Sequence, residues 1–202
     1  AALLEERDLL RGEQAFGGDI AVRLEALQAF RRAGREGARR WRADPAACAR
    51  VDRAAGRWRV LLKVADDQTA PLASGTIGLL LALAYPDRVA RRREGGADRY
   101  QLANGRGARL AAGDPLLNHD WLVAAQLDAG ASEGRIWLAA PVEPADLATH
   151  LAARVQAVVE VSWDQRQAAV SARRERRLGA LALDGAPLAD ADPELLRRAM
   201  LA

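Results

Sequence analysis

The stretch that decides the fold is Tyr85-Pro86-Asp87-Arg88-Val89-Ala90-Arg91-Arg92-Arg93, because the spacing of apolar residues changes at its proline. Before Pro86 the apolar residues recur every three or four positions, which is typical of helices. After Pro86 the segments are short and are separated by glycine turns, which is typical of β-structure. A residue before proline is disfavoured in the helical conformation, so we expect a helix to end there.

Upstream of this boundary, residues 1–86 are predicted to form an all-α helical bundle. One helix begins after Asp19, whose side chain suits an N-cap, and Gly34 is expected to end it. Another begins at Asp44 and Pro45, because proline at the first helical position lacks only an N–H that has no helical partner.

The apolar positions of these helices predict what is buried. Cys48, Val51, Trp58 and Leu62 recur at helical spacing and are expected to share one face. Residues 77–84 are apolar on all sides, so we expect that helix to be buried all round.

Downstream of the boundary, residues 87–153 are predicted to form an antiparallel OB-like β-barrel followed by a helix. Asn104-Gly105 indicates a tight hairpin, because both residues tolerate positive φ. Five short strands that close on themselves form a small barrel, and the OB-fold is a nucleic-acid-binding example. The predicted strands are residues 88–93, 99–103, 108–110, 121–127 and 135–140, and the predicted helix is residues 144–153.

Residues 154–202 are predicted to form a small, partial α+β extension. Its strands are expected at residues 155–163, 168–177 and 178–183, followed by a helix that starts at Asp192-Pro193. The fold class is therefore multi-domain α + β. Three strands are about the minimum for independent stability, and the chain opens at Ala1, so we expect a piece of a longer protein.

The composition excludes several classes of protein. Among 202 residues, 50% are hydrophobic and 28% are charged, which argues against disorder and against a collagen-like fibre. The longest apolar run, residues 77–85, falls well short of the roughly 20 residues that cross a bilayer, so no membrane partner is expected. One cysteine, Cys48, allows no intrachain disulfide and suits a cytoplasmic location.

The basic residues are clustered, although the net charge is only +3. Residues 31–63 contain eleven bases and three acids, residues 88–109 contain seven and two, and residues 166–177 contain five and one. All but Lys63 are arginine, which a GC-rich genome would explain, but such a bias does not explain clustering. Local basic patches of this kind favour a polyanionic partner.

The sequence contains no pattern typical of a catalytic site. It has no Gly-x-x-x-x-Gly-Lys-Ser/Thr phosphate loop. His119 and His150 are isolated from each other and from Cys48, so no metal site is predicted. Cys48 is expected to be a small core residue, because no nearby group would activate the thiol. The chain by itself is predicted to be non-catalytic.

Several motifs in order resemble the C-terminal region of bacterial HrpB-type ATP-dependent helicases of the DEAH/RHA kind. The Tyr-Pro-Asp-Arg element at residues 85–93 is followed by Asn-Gly-Arg-Gly at 104–107 and Trp-Leu-Val at 121–123. Val-Ser-Trp-Asp at 161–164 and the arginine-rich stretch at 173–181 are similar to the start of that family's C-terminal extension. The opening residues 2–8 resemble the entry to its helical bundle.

The resemblance implies a part of a larger enzyme. The motor domains of such a helicase, which carry ATP, Mg and the DExH motif, would precede Ala1, and no cofactor is expected in this chain. The implied role is a non-catalytic accessory region that contacts single-stranded RNA, with DNA left open, and that docks onto the motor domains of the same parent. The parent would be an ATP hydrolase located in the cytoplasm.

Candidate contact residues come from the two arginine-rich stretches. Arginine forks bind phosphate oxygens bidentately, and aromatic rings on barrel surfaces stack on bases. The predicted nucleic-acid contacts are Arg88, Arg91, Arg92, Arg93, Tyr100, Asn104 and Arg106. The predicted docking residues are Arg173, Arg174, Arg176 and Arg177.

Two other functions remain open from the sequence. The chain would also suit a stand-alone single-stranded nucleic-acid-binding protein without a motor. Alternatively, it would suit a protein–protein docking module whose basic faces meet acidic partners. A phosphate loop and a DExH motif upstream in the same reading frame would favour the helicase.

Overall fold

A computed structural model describes residues 2–5, 8–10, 17–64, 75–128, 133–164 and 169–201. Its helices are α1 (Ala2–Glu5), α2 (Ile20–Arg40), α3 (Pro45–Leu62), α4 (Thr76–Ala84), α5 (Pro144–His150) and α6 (Pro193–Leu201). Its strands are β1 (Val89–Arg92), β2 (Arg99–Leu102), β3 (Gly107–Arg109), β4 (Trp121–Leu127), β5 (Glu133–Pro141), β6 (Val155–Asp164), β7 (Ala169–Leu178) and β8 (Leu181–Pro187). No helix in these ranges is both long enough and apolar enough to cross a membrane.

The two predicted helix starts are confirmed by their caps. The Asp19 carboxylate accepts the backbone N–H of Ala21 at 2.8 Å, and Asp44 accepts that of Ala46 at 2.9 Å. The predicted stop at Gly34 is wrong in one respect. Gly34 leaves the helical conformation with φ 57° and ψ −135°, but a second helical arm continues to Arg40, so the residue breaks α2 without ending it.

Two expectations about burial are wrong. In α3, Cys48 and Val51 are buried, but Trp58 and Leu62 on the same face are exposed, because the described helices α1 and α2 pack on the first half of α3 only. In α4, Leu80 and Leu83 are 58% and 47% exposed, although the helix is apolar on all sides. One face of α4 packs on β4 and β5, and nothing in the described chain covers the other.

The five strands predicted between residues 88 and 140 are confirmed, and they close into a barrel in the order β1-β2-β3-β5-β4. Four of the pairings are antiparallel, but β3 pairs with β5 in parallel, so the prediction of a wholly antiparallel barrel is wrong at this seam. Parallel neighbours require a long crossover, which here runs through residues 110–132 and includes β4. The predicted turn at Asn104-Gly105 joins β2 to β3, with Gly105 at φ 87°.

Three hydrophobic clusters hold the chain together. The first lies among α1, α2 and α3 around Cys48 and Val51. The second fills the barrel, where Tyr100, Leu102 and Leu122 lie inside. The third covers the outside of β1 and β4 with α4, α5 and the β7–β8 turn. The barrel is therefore the element against which the other parts pack.

The C-terminal part is a three-stranded antiparallel sheet in the order β6-β7-β8, with α6 against β6 and β7. Three strands and a final helix are as predicted. Its β7–β8 turn docks on the barrel, because Ala180 donates its backbone N–H to the Ala103 carbonyl at 2.8 Å, and Leu178 and Leu181 are buried there.

Candidate functional site

A basic surface lies on the outside of the barrel, where β1, β2, β3 and β5 meet. Side chains alternate between the two faces of a strand, so the outward positions follow from the pairing register. Arg99 lies directly opposite Arg109, and Arg109 in turn lies beside Arg135. Directly opposed like charges destabilise a sheet, so their presence here needs a compensating charge.

Glu133 provides that charge, because three guanidinium groups converge on its carboxylate. Arg93, Arg99 and Arg109 lie 3.9, 3.7 and 3.8 Å from its oxygens. These three arginine side chains are 40%, 51% and 49% exposed, whereas Glu133 is only 21% exposed. We call Arg93, Arg99 and Arg109 the barrel arginine cluster. The carboxylate holds them together from below and leaves their outer edges in solvent.

Asp98 is the second acid at this surface. It accepts two hydrogen bonds from Arg109, the shorter at 2.8 Å. The hydrogen bond from Arg109 lowers the pKa of the Asp98 carboxyl, so this group stays ionised at neutral pH. Three arginines thus face two carboxylates, which leaves the surface positive.

Gly107 leaves the space in which the cluster assembles. A Cβ atom at this position would lie 2.9 Å from the Glu133 Cγ and 3.2 Å from an Arg93 guanidinium nitrogen. A larger residue would push these side chains apart. Gly107, the second glycine of the Asn-Gly-Arg-Gly motif, is therefore required by the packing of the cluster. Gly105, the first, is required by the positive φ of the turn.

Two of the predicted contact residues are engaged by the barrel itself, Tyr100 inside it and Arg92 at one end, so neither is available as a contact. Tyr100 is fully buried, and its hydroxyl donates to the His119 carbonyl at 2.9 Å, so its ring has no surface on which a base could stack. Arg92 lies over this ring and donates to Asp120 and to the carbonyls of Ala97, Leu117 and His119. Because four of its five N–H donors are engaged, Arg92 closes one end of the barrel rather than binding phosphate.

Two further predicted contacts are directed toward the protein itself. Arg88 donates to the Ala125 carbonyl at 3.0 Å and lies over the Tyr85 ring. Arg91 lies over the Trp121 ring and donates to the Ala182 carbonyl at 3.1 Å, which ties β8 to the barrel. An arginine in a basic sequence motif is therefore not always free to bind a ligand, because the protein itself can engage its guanidinium.

Asn104 and Arg106 lie in the exposed β2–β3 turn. The Asn104 side-chain oxygen accepts the backbone N–H of Arg106 at 3.0 Å, which shapes the turn. The structure thus brings Arg93 together with two residues that the sequence reasoning did not select, Arg99 and Arg109. Both lie in predicted strands on either side of the Asn104-Gly105 turn, but only the β2–β3 register places them opposite each other.

The four arginines predicted for docking divide between the two faces of the C-terminal sheet. Arg177 bridges Glu175 and Glu160, and Arg173 lies 4.0 Å from Glu175, so this face is internally paired. On the other face, Arg176 pairs with Asp184. Arg174 is exposed and its guanidinium has no hydrogen bond or ion pair within the described chain.

The residues considered for catalysis or metal binding do not form a site in the part of the chain that the structure covers. Cys48 is buried as predicted, and burial raises the pKa of its thiol. No group of three or more His, Cys, Asp or Glu side chains within these ranges is arranged to hold a metal ion.

Comparison with known proteins identifies relatives of this chain. A family profile described as the connector region of the ATP-dependent RNA helicase HrpB matches residues 154–188. The sequence is 40% identical over 147 residues to the ATP-dependent RNA helicase HrpB of Escherichia coli strain K12. That match covers 72% of this chain and 18% of the relative.

Two solved structures are similar over most of the chain. A crystal structure of the E. coli DExH-box NTPase HrpB matches with a TM-score of 0.65 and 34% identity, covering 100% of this chain and 22% of that one. A crystal structure of the Escherichia coli DEAH/RHA helicase HrpB matches with a TM-score of 0.55 and 30% identity, covering 90% and 22%. The chain thus spans about a fifth of the length of these relatives.

Proposed function

We propose that this chain, whose sequence and fold match the C-terminal region of HrpB-type ATP-dependent RNA helicases, is a non-catalytic accessory part that holds single-stranded RNA. The barrel arginine cluster carries the proposal. We class the barrel as OB-like, because five strands close with a Greek-key crossover, and this fold is used by many single-strand-binding proteins. ATP hydrolysis and Mg binding would belong to the parent's motor domains.

The chemistry of the cluster favours phosphate as its ligand. Arg93, Arg99 and Arg109 are always charged, and their planar forks match two oxygens of a phosphate. Glu133 brings the three guanidinium groups together, but its charge also competes with a phosphate for them. The described surface offers no exposed aromatic beside them, since Tyr100 is buried and Trp137 lies under Arg135 at 3.8 Å. Binding is therefore expected to follow the backbone without sequence preference.

The direct test is binding of a single-stranded RNA by fluorescence anisotropy at several salt concentrations. If three phosphates are contacted, R93A/R99A/R109A should flatten the log–log salt slope by about two units, since each phosphate contributes about −0.7 on single strands. R154A/R197A/R198A removes the same charge from other exposed positions and should leave most of the binding intact.

Two further variants test the guanidinium groups of the cluster and the carboxylate of Glu133 separately. Lysines at the three cluster positions should retain part of the affinity, because they keep the charge but lose the fork. E133Q removes the negative charge nearest the bound phosphates, so the affinity should rise about twofold or more at low salt. An unchanged affinity and salt slope in R93A/R99A/R109A would refute RNA binding at this surface.

Absence of catalysis is a separate expectation. The sequence has no phosphate-cradling loop, so the purified chain should not hydrolyse ATP, with or without single-stranded RNA. RNA-stimulated release of phosphate above that of a heat-denatured sample would contradict the assignment as an accessory part.

Docking onto the rest of a helicase is the second part of the proposal. Val159 and Trp163 are more than 40% exposed on the face of the C-terminal sheet that carries Arg174 and Arg176. An exposed apolar face with an unpaired arginine is typical of an interface. We propose that this face, rather than Arg173 and Arg177 on the other, docks onto the motor domains. V159D should then weaken association with separately purified motor domains while leaving RNA binding by the barrel unchanged.

A further inference from the structure

The C-terminal sheet has two edge strands, β6 and β8, and β8 is protected against further pairing. An edge strand carries unpaired backbone groups, which prolines, bulges and covering side chains keep from pairing with another chain. Pro187 lies at the end of β8, and its register against β7 shifts between Arg176 and Arg177. Arg91 of the barrel donates to the Ala182 carbonyl of the same strand. These features make β8 a poor template for another strand.

The other edge strand, β6, has none of these features. It runs for ten residues without a proline, and all of them pair with β7 in one unbroken register. No strand of the described chain lies on its outer side. Helix α6 contacts β7 as well as β6, and its Leu196 lines a hollow with Val170 and Ala172, so α6 lies over a face of the sheet. The outer edge of β6 is therefore open within the described chain.

The composition of β6 also favours pairing. Charged side chains, lysine above all, usually discourage association at an exposed edge, but β6 contains no basic residue. Glu160 at its centre is held by Arg177 at 3.1 Å. Alternation along the strand places five apolar residues on one face, and two of them are more than 40% exposed. The five are Val155, Ala157, Val159, Val161 and Trp163.

The order of residues in β6 suits an antiparallel pair of two identical strands. When a two-fold axis stands perpendicular to a sheet, residues of the same face meet, so the axis passes through a residue and not between two. Val159 and Glu160 are the central residues of β6. An axis at Glu160 would set two carboxylates directly opposite each other, which destabilises a sheet. An axis at Val159 pairs Val159 with itself, Ala157 with Val161, and Val155 with Trp163.

We infer that β6 is a self-association edge, through which two copies of this chain form a dimer with Val159 on the two-fold axis. The pairing would join two three-stranded sheets into one of six strands with a continuous apolar face. Three strands are about the minimum for an independently stable sheet, so the C-terminal part would gain most from the extension. The contact is the same patch on both copies, so it closes on itself and forms no fibre. It uses none of the residues of the barrel arginine cluster.

The test measures the mass of the chain alone by sedimentation at several concentrations, without RNA or motor domains. The parent chain should sediment as a monomer–dimer equilibrium. V159K and V159E each place two like charges opposite each other, so each should weaken dimerisation about tenfold or more. An equimolar mixture of the two should restore it, and native mass spectrometry should show the mixed dimer. V60K is the matched control, because Val60 is 81% exposed on α3, away from the sheet, and it should dimerise like the parent.

Hydrogen exchange separates pairing at the edge from a folding defect. Amides of β6 should exchange more slowly as the concentration of the parent chain rises, whereas those of β8 should not change. Rescue in the V159K and V159E mixture requires both variants to be folded, so it distinguishes lost pairing from lost structure. A chain that stays monomeric at all concentrations overturns the inference. So does a dimer that V159K leaves intact, or a mixture that fails to form the mixed dimer.

Discussion

Arg92 and Arg93 are neighbours in the sequence, but their guanidinium groups have opposite surroundings. Arg92 points to the inside of the barrel, where Asp120 and three carbonyls engage it. Arg93 lies outside, at the edge of the cluster around Glu133. Strand alternation separates the two, because successive side chains point to opposite faces. At the residue scale, the three consecutive arginines therefore have three different roles: Arg91 ties β8 to the barrel, Arg92 closes one end of the barrel, and Arg93 joins the surface cluster.

Tyr100 gives a prediction that distinguishes core from contact surface. Replacing it by phenylalanine removes only the hydroxyl that donates to the His119 carbonyl, so Y100F should lower the free energy of unfolding by about 1 kcal/mol. RNA affinity should not change, because the ring is inside the barrel. Urea denaturation and RNA anisotropy check the two values. A weaker RNA affinity at unchanged stability would mean that Tyr100 reaches the ligand.

Asp98 gives a prediction about pH. Its hydrogen bond from Arg109 lowers the carboxyl pKa in the folded state, so ionised Asp98 stabilises the fold above the ordinary value of about 3.9. That contribution begins to fall as the pH drops below the ordinary value and is lost once the pH has passed below the folded-state pKa. D98N should therefore be less stable than the parent chain at pH 7, and the difference should shrink progressively as the solution is acidified below about pH 3.9. Thermal melts across this range check it, and a difference that persists at acid pH would contradict it.

At the scale of elements, the sequence predicts what depends on neighbours along the chain. Helix starts at Asp19 and Asp44 and the five barrel strands follow from capping residues, spacing and glycine turns. The parallel pairing of β3 with β5 does not follow, because it joins segments separated by a crossover that no local pattern specifies. The exposed face of α4 has the same cause, since an apolar helix does not reveal which of its sides finds a partner.

The sequence also predicted only part of the candidate site. The sequence identified the right region and one of the three cluster arginines, Arg93. It missed Arg99 and Arg109 because their proximity depends on the β2–β3 register, and it missed Glu133 because this residue comes from a distant strand. It also assigned Tyr100 to the surface, since a motif does not show on which side of a strand a ring lies.

The β7–β8 turn is the element that attaches the C-terminal sheet to the barrel. Gly179 has φ 56°, and a Cβ there would lie 2.1 Å from the Ala103 carbonyl oxygen. G179A should therefore destabilise the chain by about 2 kcal/mol or more and displace the turn. G113A is the matched control, because Gly113 also has positive φ but has open space around it. It should cost only about 1 kcal/mol.

Hydrogen exchange measured by mass spectrometry locates this effect. In G179A the amides of β7 and β8 should exchange faster, whereas those of the barrel strands should remain protected. Equal stability of G179A and G113A would show that the close approach to Ala103 contributes nothing.

At the scale of the whole molecule, the barrel is the part to which the helices and the C-terminal sheet are both fixed. Arg91 and the β7–β8 turn make one joint. The other joint is the turn before α2, where Arg23 donates to the carbonyls of Gly17 and Asp19 and so fixes the backbone between them. Gly18 then donates its N–H to Asp114 and accepts the N–H of Ala139. These hydrogen bonds fix the helices and the C-terminal sheet to opposite parts of one barrel through their backbones.

Asp114 is the residue on which the joint between helices and barrel depends. Its buried carboxylate accepts the N–H of Gly18 at 2.8 Å and that of Leu116 at 2.9 Å. D114A leaves both buried donors without that partner, and each such loss costs about 1–3 kcal/mol, so a destabilisation of about 3 kcal/mol is expected. D190A, which removes an exposed carboxylate, should change the stability by less than about 0.5 kcal/mol.

The location of the damage in D114A tests the joint itself. Amides in α2 and α3 should lose protection from hydrogen exchange, while those of β1 and β2 keep theirs, because the barrel retains its own core. RNA binding at the barrel should persist, because the barrel arginine cluster and Glu133 all belong to the barrel itself. Uniform loss of protection in helices and barrel would mean that the two parts unfold as one unit and that Asp114 stabilises the molecule as a whole.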